Sequence, residues 1–277
     1  CHFRGKSGQS RGVIVDLEAI AKIAQEAELP LIVDNTMDTP WLCRPFEWGA
    51  DLVVHSTTKF LSGQGNAMGG IVIDSGRFAW FGNAKYPSLS EPCPDYNGLT
   101  FAETFGDLAF TLYSHAVSLR DLGCTQSPMN AWITLNGVET LPLRMERHVE
   151  NAQKVAGFLQ QHPSVEWVSY AGLSSSPYYQ LAQKYLQGKA GSVFTFGIRG
   201  GYESGLRLLE KVELFSHVSN IGDSRSLILH PASTTHRQLS DEQRLTAGAG
   251  PEVIRLSVGI ESAEDLIADL EQALEGL

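Results

Sequence analysis

An amine, a carboxylate and several hydroxyls stand close together in the first quarter of the chain. The run "LPLIVDNT" carries an apolar stretch to Asp34, and "DLVVHSTTKF" carries a second to Ser56, Thr57, Thr58 and Lys59. Short continuous apolar runs of this kind predict buried strands, and in open α/β sheets ligands bind where the strands end. An acid and an amine brought to one rim can form a plain ion pair with the hydroxyls as caps. They also meet the needs of pyridoxal phosphate. That cofactor takes an amine for its Schiff base, a carboxylate for its ring nitrogen and donors for its phosphate.

Other groups that could do chemistry read less sharply. In "VIRLSVGI" the alternation puts Ile254, Leu256, Val258 and Ile260 on one face and Arg255, Ser257 and Gly259 on the other. Arg255 then projects from a face of small or polar residues and reads, on the pattern alone, as a solvated cation on a one-sided sheet. His55, inside its apolar run, reads as a packed, hydrogen-bonded core histidine. His230 and His236 have no third ligand nearby, which speaks for packing over metal binding. Gly63, Gly65, Gly69 and Gly70 lack the dinucleotide spacing and read as a turn re-entering a sheet. Cys1, Cys43, Cys93 and Cys124 lie far apart and read as reduced, mostly packed thiols.

These groups need a scaffold. A chain of 277 residues can bury a large core in one large or two medium domains. Asp16 is placed to cap a helix over "LEAIAKIAQEAE". Helix, strand, short helical link and strand in succession predict parallel neighbours. "GGIVID" predicts a third buried strand, the three forming an α/β layer with helices on both faces. Residues 78 to 128, rich in aromatics and prolines, read as an excursion over a groove with some helix after Thr104. A long helix from Arg144 to about Gln161 marks a change of domain, its apolar face being Met145, Val149, Ala152, Ala156 and Leu159. Beyond it, "SVEWVSY", "GSVFTFGI", "SRSLILH" and "VIRLSVGI" predict strands. A helix around "YESGLRLLEKVELF" and a last one opening on Ser262 and Asp265 in capping-box spacing complete a smaller α+β domain. The expected division is residues 1–141 and 142–277.

Composition narrows the class of partner. A formal charge of −10, with no dense basic stripe, argues against nucleic acid. No apolar run approaches the length that crosses a bilayer, and the expected location is the cytosol.

The segment "LPLIVDNTMDTPWLCRPFEWGADLVVHSTTKFLSGQGNAMGGIVID" resembles the core of the Cys/Met-metabolism family of pyridoxal phosphate enzymes. The likeness runs from about Val15 to the end of the chain. It implies a fold type I pyridoxal phosphate transferase-like architecture, with a mostly parallel central sheet, partial here, and a smaller α+β C-terminal domain. It implies that Lys59 binds the cofactor aldehyde and moves protons, that Asp34 pairs with the ring nitrogen, and that Ser56 and Thr58 bind phosphate. Through "RLSVGIE" and "SLILHPASTTH" it implies substrate contacts at Arg255 and Ser226. Within the family, "KYPSLSEPCPDYNGLTFAETFGDLAF" and "LRDLGCTQSPMNAWITLNGVETLPLRMERHVENA" are most similar to enzymes that act on O-acetylhomoserine. The implied reaction is γ-replacement by sulfide or a thiol, giving homocysteine or methionine and acetate. Alternatives are a cystathionine γ-synthase, a γ-eliminating methionine lyase, or an inactive truncated relative. A homotetramer is also implied. The opening "GKSGQSRG" stands where the family carries an Asn-Pro segment, and position 1 is Cys. The expectation is a chain holding the second half of a cofactor domain and a whole C-terminal domain.

Overall fold

The structure, a computed structural model, describes residues 2–3 and 12–277. The segment "GKSGQSRG" and Cys1 therefore lie outside the described residues, Gly12 excepted.

Helix α1, Leu17–Glu26, begins where Asp16 accepts the amide of Ala19 at 3.1 Å, and it buries Leu17 and Ala24. Strand β2, Ile32–Asp34, and strand β3, Leu52–Ser56, run parallel with Asp34 opposite Val54. A two-residue strand β1, His2–Phe3, adds parallel to β2. Strand β4, Gly70–Asp74, corrects the sequence expectation. It pairs antiparallel with β3, and Ile71 and Val72 are 46% and 55% exposed. The connection, residues 57–69, holds only the Thr57–Leu61 turn and no crossover helix to carry the chain across a face of the sheet, so the strand returns antiparallel.

Residues 78–121 fold into short helical turns around a core of their own, Trp80, Leu89, Phe101, Ala102 and Ala109. Helix appears here already at Pro87–Ser90 and again at Phe101–Phe105, ahead of the expected start after Thr104. Ser127 then caps helix α2, Pro128–Glu139, by accepting the amide of Asn130. The long helix α3 spans Leu141–Gln161 and buries the five residues its periodicity marks.

The C-terminal sheet takes the order β5-β6-β9-β8-β7 from strands β5 Val165–Ser169, β6 Val193–Ile198, β7 Ser216–His217, β8 Leu227–Leu229 and β9 Val253–Ser257. Its pairings are antiparallel except β7 with β8. Helices α4, Gly201–Lys211, and α5, Ala263–Leu274, pack against each other, and α3 packs on both α5 and β5. Ser262 caps α5 through the amide of Asp265. The reciprocal capping box stands elsewhere, at Ser240 and Gln243. One apolar cluster joins the two sheets, running from Leu17, Phe60 and Leu61 through α3 to Phe196 and Leu256. Among the described residues no helix is long and apolar enough to cross a membrane.

Candidate active site

Asp34 closes β2, and its carboxylate accepts the amide of Thr36 at 3.1 Å. Among the described residues no cation lies within ion-pair distance of it. Thr36 in turn accepts the amide of Ser56 at 2.8 Å, which ties the exits of the two parallel strands together. Acid and hydroxyls thus leave the sheet at the same carboxyl edge.

After Ser56 the chain enters a wide turn, Thr57–Leu61, with π-type bonding. Lys59 interrupts it with a non-helical backbone, φ −90° and ψ −131°. Phe60, the next residue, is fully buried and meets the His148 ring edge-on at 5.3 Å. A side chain plugged into the core beside an irregular backbone aims the lysine outward. Its Nζ donates to Oδ1 of Asn220. The Asn220 carbonyl accepts Nη2 of Arg255 at 3.2 Å, so one asparagine bridges the amine and the guanidinium. Burial, and then the charge of Arg255, hold the Lys59 amine below the ordinary lysine range. Burial also pulls the Arg255 guanidinium down.

The remaining predicted positions divide. Ser56 stands at the rim, with no hydrogen bond from its hydroxyl among the described residues. The Thr58 hydroxyl is engaged with the glycine turn, accepting the amide of Gly69 at 3.1 Å. Ser226 is not brought to the rim. It is fully buried, donates to Glu261 Oε2 at 2.9 Å and accepts the amide of Gly259 at 2.8 Å. Those two bonds occupy its hydroxyl in fastening β8 to the turn after β9. The place beside Arg255 belongs to Asn220, which lies in a loop without periodicity. The one-sided sheet considered for Arg255 is absent, because Ser257 on the same face is 1% exposed. His55 is buried as expected, yet its Nδ1 has no partner among the described residues; burial lowers its basicity against the pull of Asp34. His230 contacts Ser233 at 3.0 Å and the Pro251 carbonyl at 2.9 Å, which leaves neither ring nitrogen for a metal. Cys43, Cys93 and Cys124 are free thiols, of which only Cys43 is buried. A cavity of about 170 Å³ opens beside β2, walled by Asp34, Asn35, Asp38 and Tyr170 among others and not by Lys59.

This donor set can be tested against pyridoxal phosphate. An unpaired carboxylate at one strand end, a desolvated amine at the next, and the Ser56 hydroxyl between them supply what the ring nitrogen, aldehyde and phosphate require. The buried hydroxyl of Thr57, which has no partner among the described residues, lies in the same turn. The residues present fit the group.

A family model described as "Cys/Met metabolism PLP-dependent enzyme" matches residues 8–275. The chain belongs to that family. The O-acetyl-L-homoserine sulfhydrylase of Leptospira meyeri is 50% identical over 272 residues, covering 95% of this chain and 61% of that protein. The O-acetyl-L-homoserine sulfhydrylase 1 of Thermus thermophilus is 50% identical over 262 residues, covering 94% and 62%. The homocysteine synthase of Schizosaccharomyces pombe is 46% identical over 264 residues, covering 95% and 62%. A Campylobacter jejuni chain solved with N′-pyridoxyl-lysine-5′-monophosphate superposes with a TM-score of 0.91 at 42% identity, covering 95% of this chain and 63% of that one. The chain therefore spans about six tenths of the length of the curated relatives it matches.

Proposed function

We propose that this chain carries the reactive lysine and the carboxylate anchor of a pyridoxal-phosphate-dependent aminocarboxypropyltransferase. The reaction replaces the acetate of O-acetylhomoserine by sulfide or a thiol: the Cγ–O bond breaks, a C–S bond forms, and homocysteine, or methionine from methanethiol, is released with acetate. The observation that carries this reading is the Asn220 bridge between Lys59 and Arg255. The names of the relatives support it.

Lys59, Asp34, Ser56 and Thr58 would hold the cofactor. When bound, pyridoxal phosphate supplies an electron sink that acidifies the substrate's Cα and Cβ protons. Asp34 contributes negative charge for the ring nitrogen. Arg255 offers a planar fork to the substrate α-carboxylate. Asn220 receives the Lys59 amine through Oδ1, which leaves its Nδ2 to donate to the same carboxylate. Lys59 takes and returns the protons, and an amine basic enough to accept a proton but held below the usual lysine range suits that work.

Two coarser features belong to this proposal. One is the division at residues 141 and 142 into part of a cofactor domain and a C-terminal substrate domain. The other is assembly into a homotetramer, to which the exposed Met129, Trp132 and Leu135 of α2 would contribute. Light scattering on the full-length protein tests the assembly. The activity is tested by incubating that protein with O-acetylhomoserine and sulfide and measuring homocysteine against acetate. Equimolar appearance of both is expected. Release of ammonia from methionine with no sulfide incorporated would overturn the reading in favour of a γ-lyase.

A further inference from the structure

Arg144, in the first turn of α3, is a half-buried cation that no carboxylate approaches within ion-pair distance among the described residues. All its hydrogen bonds go to neutral oxygens. Nη1 donates to the Phe60 carbonyl at 2.8 Å, and Nη2 to Gly137 at 2.7 Å and Leu61 at 3.4 Å. Nε donates to Thr140 Oγ1 at 3.1 Å. Burying a guanidinium is costly unless its donors are satisfied, and carbonyls at the end of a helical turn are ready acceptors for them. Two of those oxygens belong to the residues that directly follow Lys59.

The surroundings are shaped to admit this group. A Cβ on Gly63 would fall 2.5 Å from Nη1 of Arg144. One on Gly137 would fall 2.3 Å from the Leu61 carbonyl and 2.6 Å from that of Ser62. Gly63 also has φ +84°, in the left-handed region. Two glycines from separate elements therefore leave room for one guanidinium and the turn it grips. A lysine at 144 would offer a single point charge where a planar fork now serves three carbonyls.

We propose that Arg144 is a positioning residue: it locks the carboxyl end of the Thr57–Leu61 turn and so holds the Lys59 amine against Asn220 and Arg255. It touches neither the amine nor any reacting atom. The proposal rests on Lys59 as the reactive amine, and not on which substrate the enzyme takes.

The experiment compares the full-length protein with its Arg144→Lys and Arg144→Met variants in two measurements. Backbone amide exchange across residues 57–63 is expected to quicken on the order of tenfold or more in both variants while exchange in β6 stays unchanged. Labelling of Lys59 by pyridoxal phosphate followed by borohydride, mapped to its peptide across pH, is expected to shift its midpoint upward. Labelling at neutral pH then falls about tenfold. Millimolar guanidinium added to Arg144→Ala should restore the labelling, whereas ammonium at equal strength should not. A folded variant with unchanged exchange in the turn overturns the proposal. So does quickened exchange with an unmoved labelling midpoint. If Arg144→Met does not fold, Arg144→Lys, which keeps the charge and most of the packing, decides by the same two measurements. Loss of the sulfhydrylase reading would leave both measurements standing, because the label reacts with any accessible, desolvated amine.

Discussion

All six residues of β6, Val193–Ile198, are buried, whereas the first three of β4, Gly70–Asp74, are exposed. The C-terminal sheet is closed over by α3, α4 and α5, while the N-terminal sheet leaves apolar residues at its surface and leads into the turn that bears Lys59. The amine is nonetheless held firmly, and the grip comes from the closed half. Phe60 sits against His148, the Gly63 carbonyl accepts the amide of Ser224, and Asn220 receives Nζ. An incompletely covered sheet can present a well-placed functional group if the turn that bears it is seated in a complete domain.

The largest effect that would sharpen this contrast is chemical and not structural. Lys59→Arg should reduce homocysteine formation on the order of 10³-fold, with the thermal unfolding midpoint unchanged, because the lysine's own packing is slight. A matching loss of stability would show that the amine also braces the joint. Arg255→Met comes next. Removing a two-point, charge-assisted contact worth about 3 kcal/mol should raise KM for O-acetylhomoserine on the order of 100-fold with a smaller change in kcat. A kcat loss with KM unmoved would sink the anchoring role.

Acid should then strike the closed half through its joint. Burial, with help from Arg144 and against the pull of the Val258 carbonyl and Asp223, presses His148 down to about 4. The unfolded chain binds that proton near the ordinary histidine value and the folded chain resists it. Stability is therefore full above about pH 6.5 and falls as pH drops toward 4, by up to about 3 kcal/mol. Urea midpoints measured across this range should show the slope, and His148→Gln, which can still donate to Val258, should flatten it. The smallest effect belongs to the open half. Val72→Lys should change the stability of the isolated chain by no more than about 0.5 kcal/mol. A drop beyond 1 kcal/mol, read by denaturant titration of that chain, would mean the outer face of the strand is covered within it.

Local chemistry made much of this legible before any coordinates. The Asp16 cap, the heptad-like face of α3, and the delivery of Asp34 and Lys59 to neighbouring strand ends follow from spacing and residue type alone. What escaped depends on distance along the chain. "GGIVID" is apolar enough for a buried strand, and only the lack of a crossover helix in the connection before it betrays an antiparallel return whose outer face is exposed. The family resemblance alone points to Ser226 as a substrate contact, yet Glu261, far along the chain, takes its hydroxyl. The apolar residues that follow it, Leu227–Leu229, were the signal that it lies inside. Asn220 had no such signal, for its partners Lys59 and Arg255 come from opposite halves of the molecule. His55 illustrates the reverse: its burial could be read from its neighbours, but not the lack of a partner for Nδ1.

The aromatic knot of Trp80, Phe101 and their neighbours packs into a core of its own, with the Trp80 and Phe110 rings stacked 5.6 Å apart and Tyr113 edge-on to Phe101 at 5.1 Å. Such a segment is a cassette. Heat or denaturant is therefore expected to loosen it as a unit of its own, because its apolar residues form a core separate from the one in which Phe60 and Leu61 seat the Thr57–Leu61 turn.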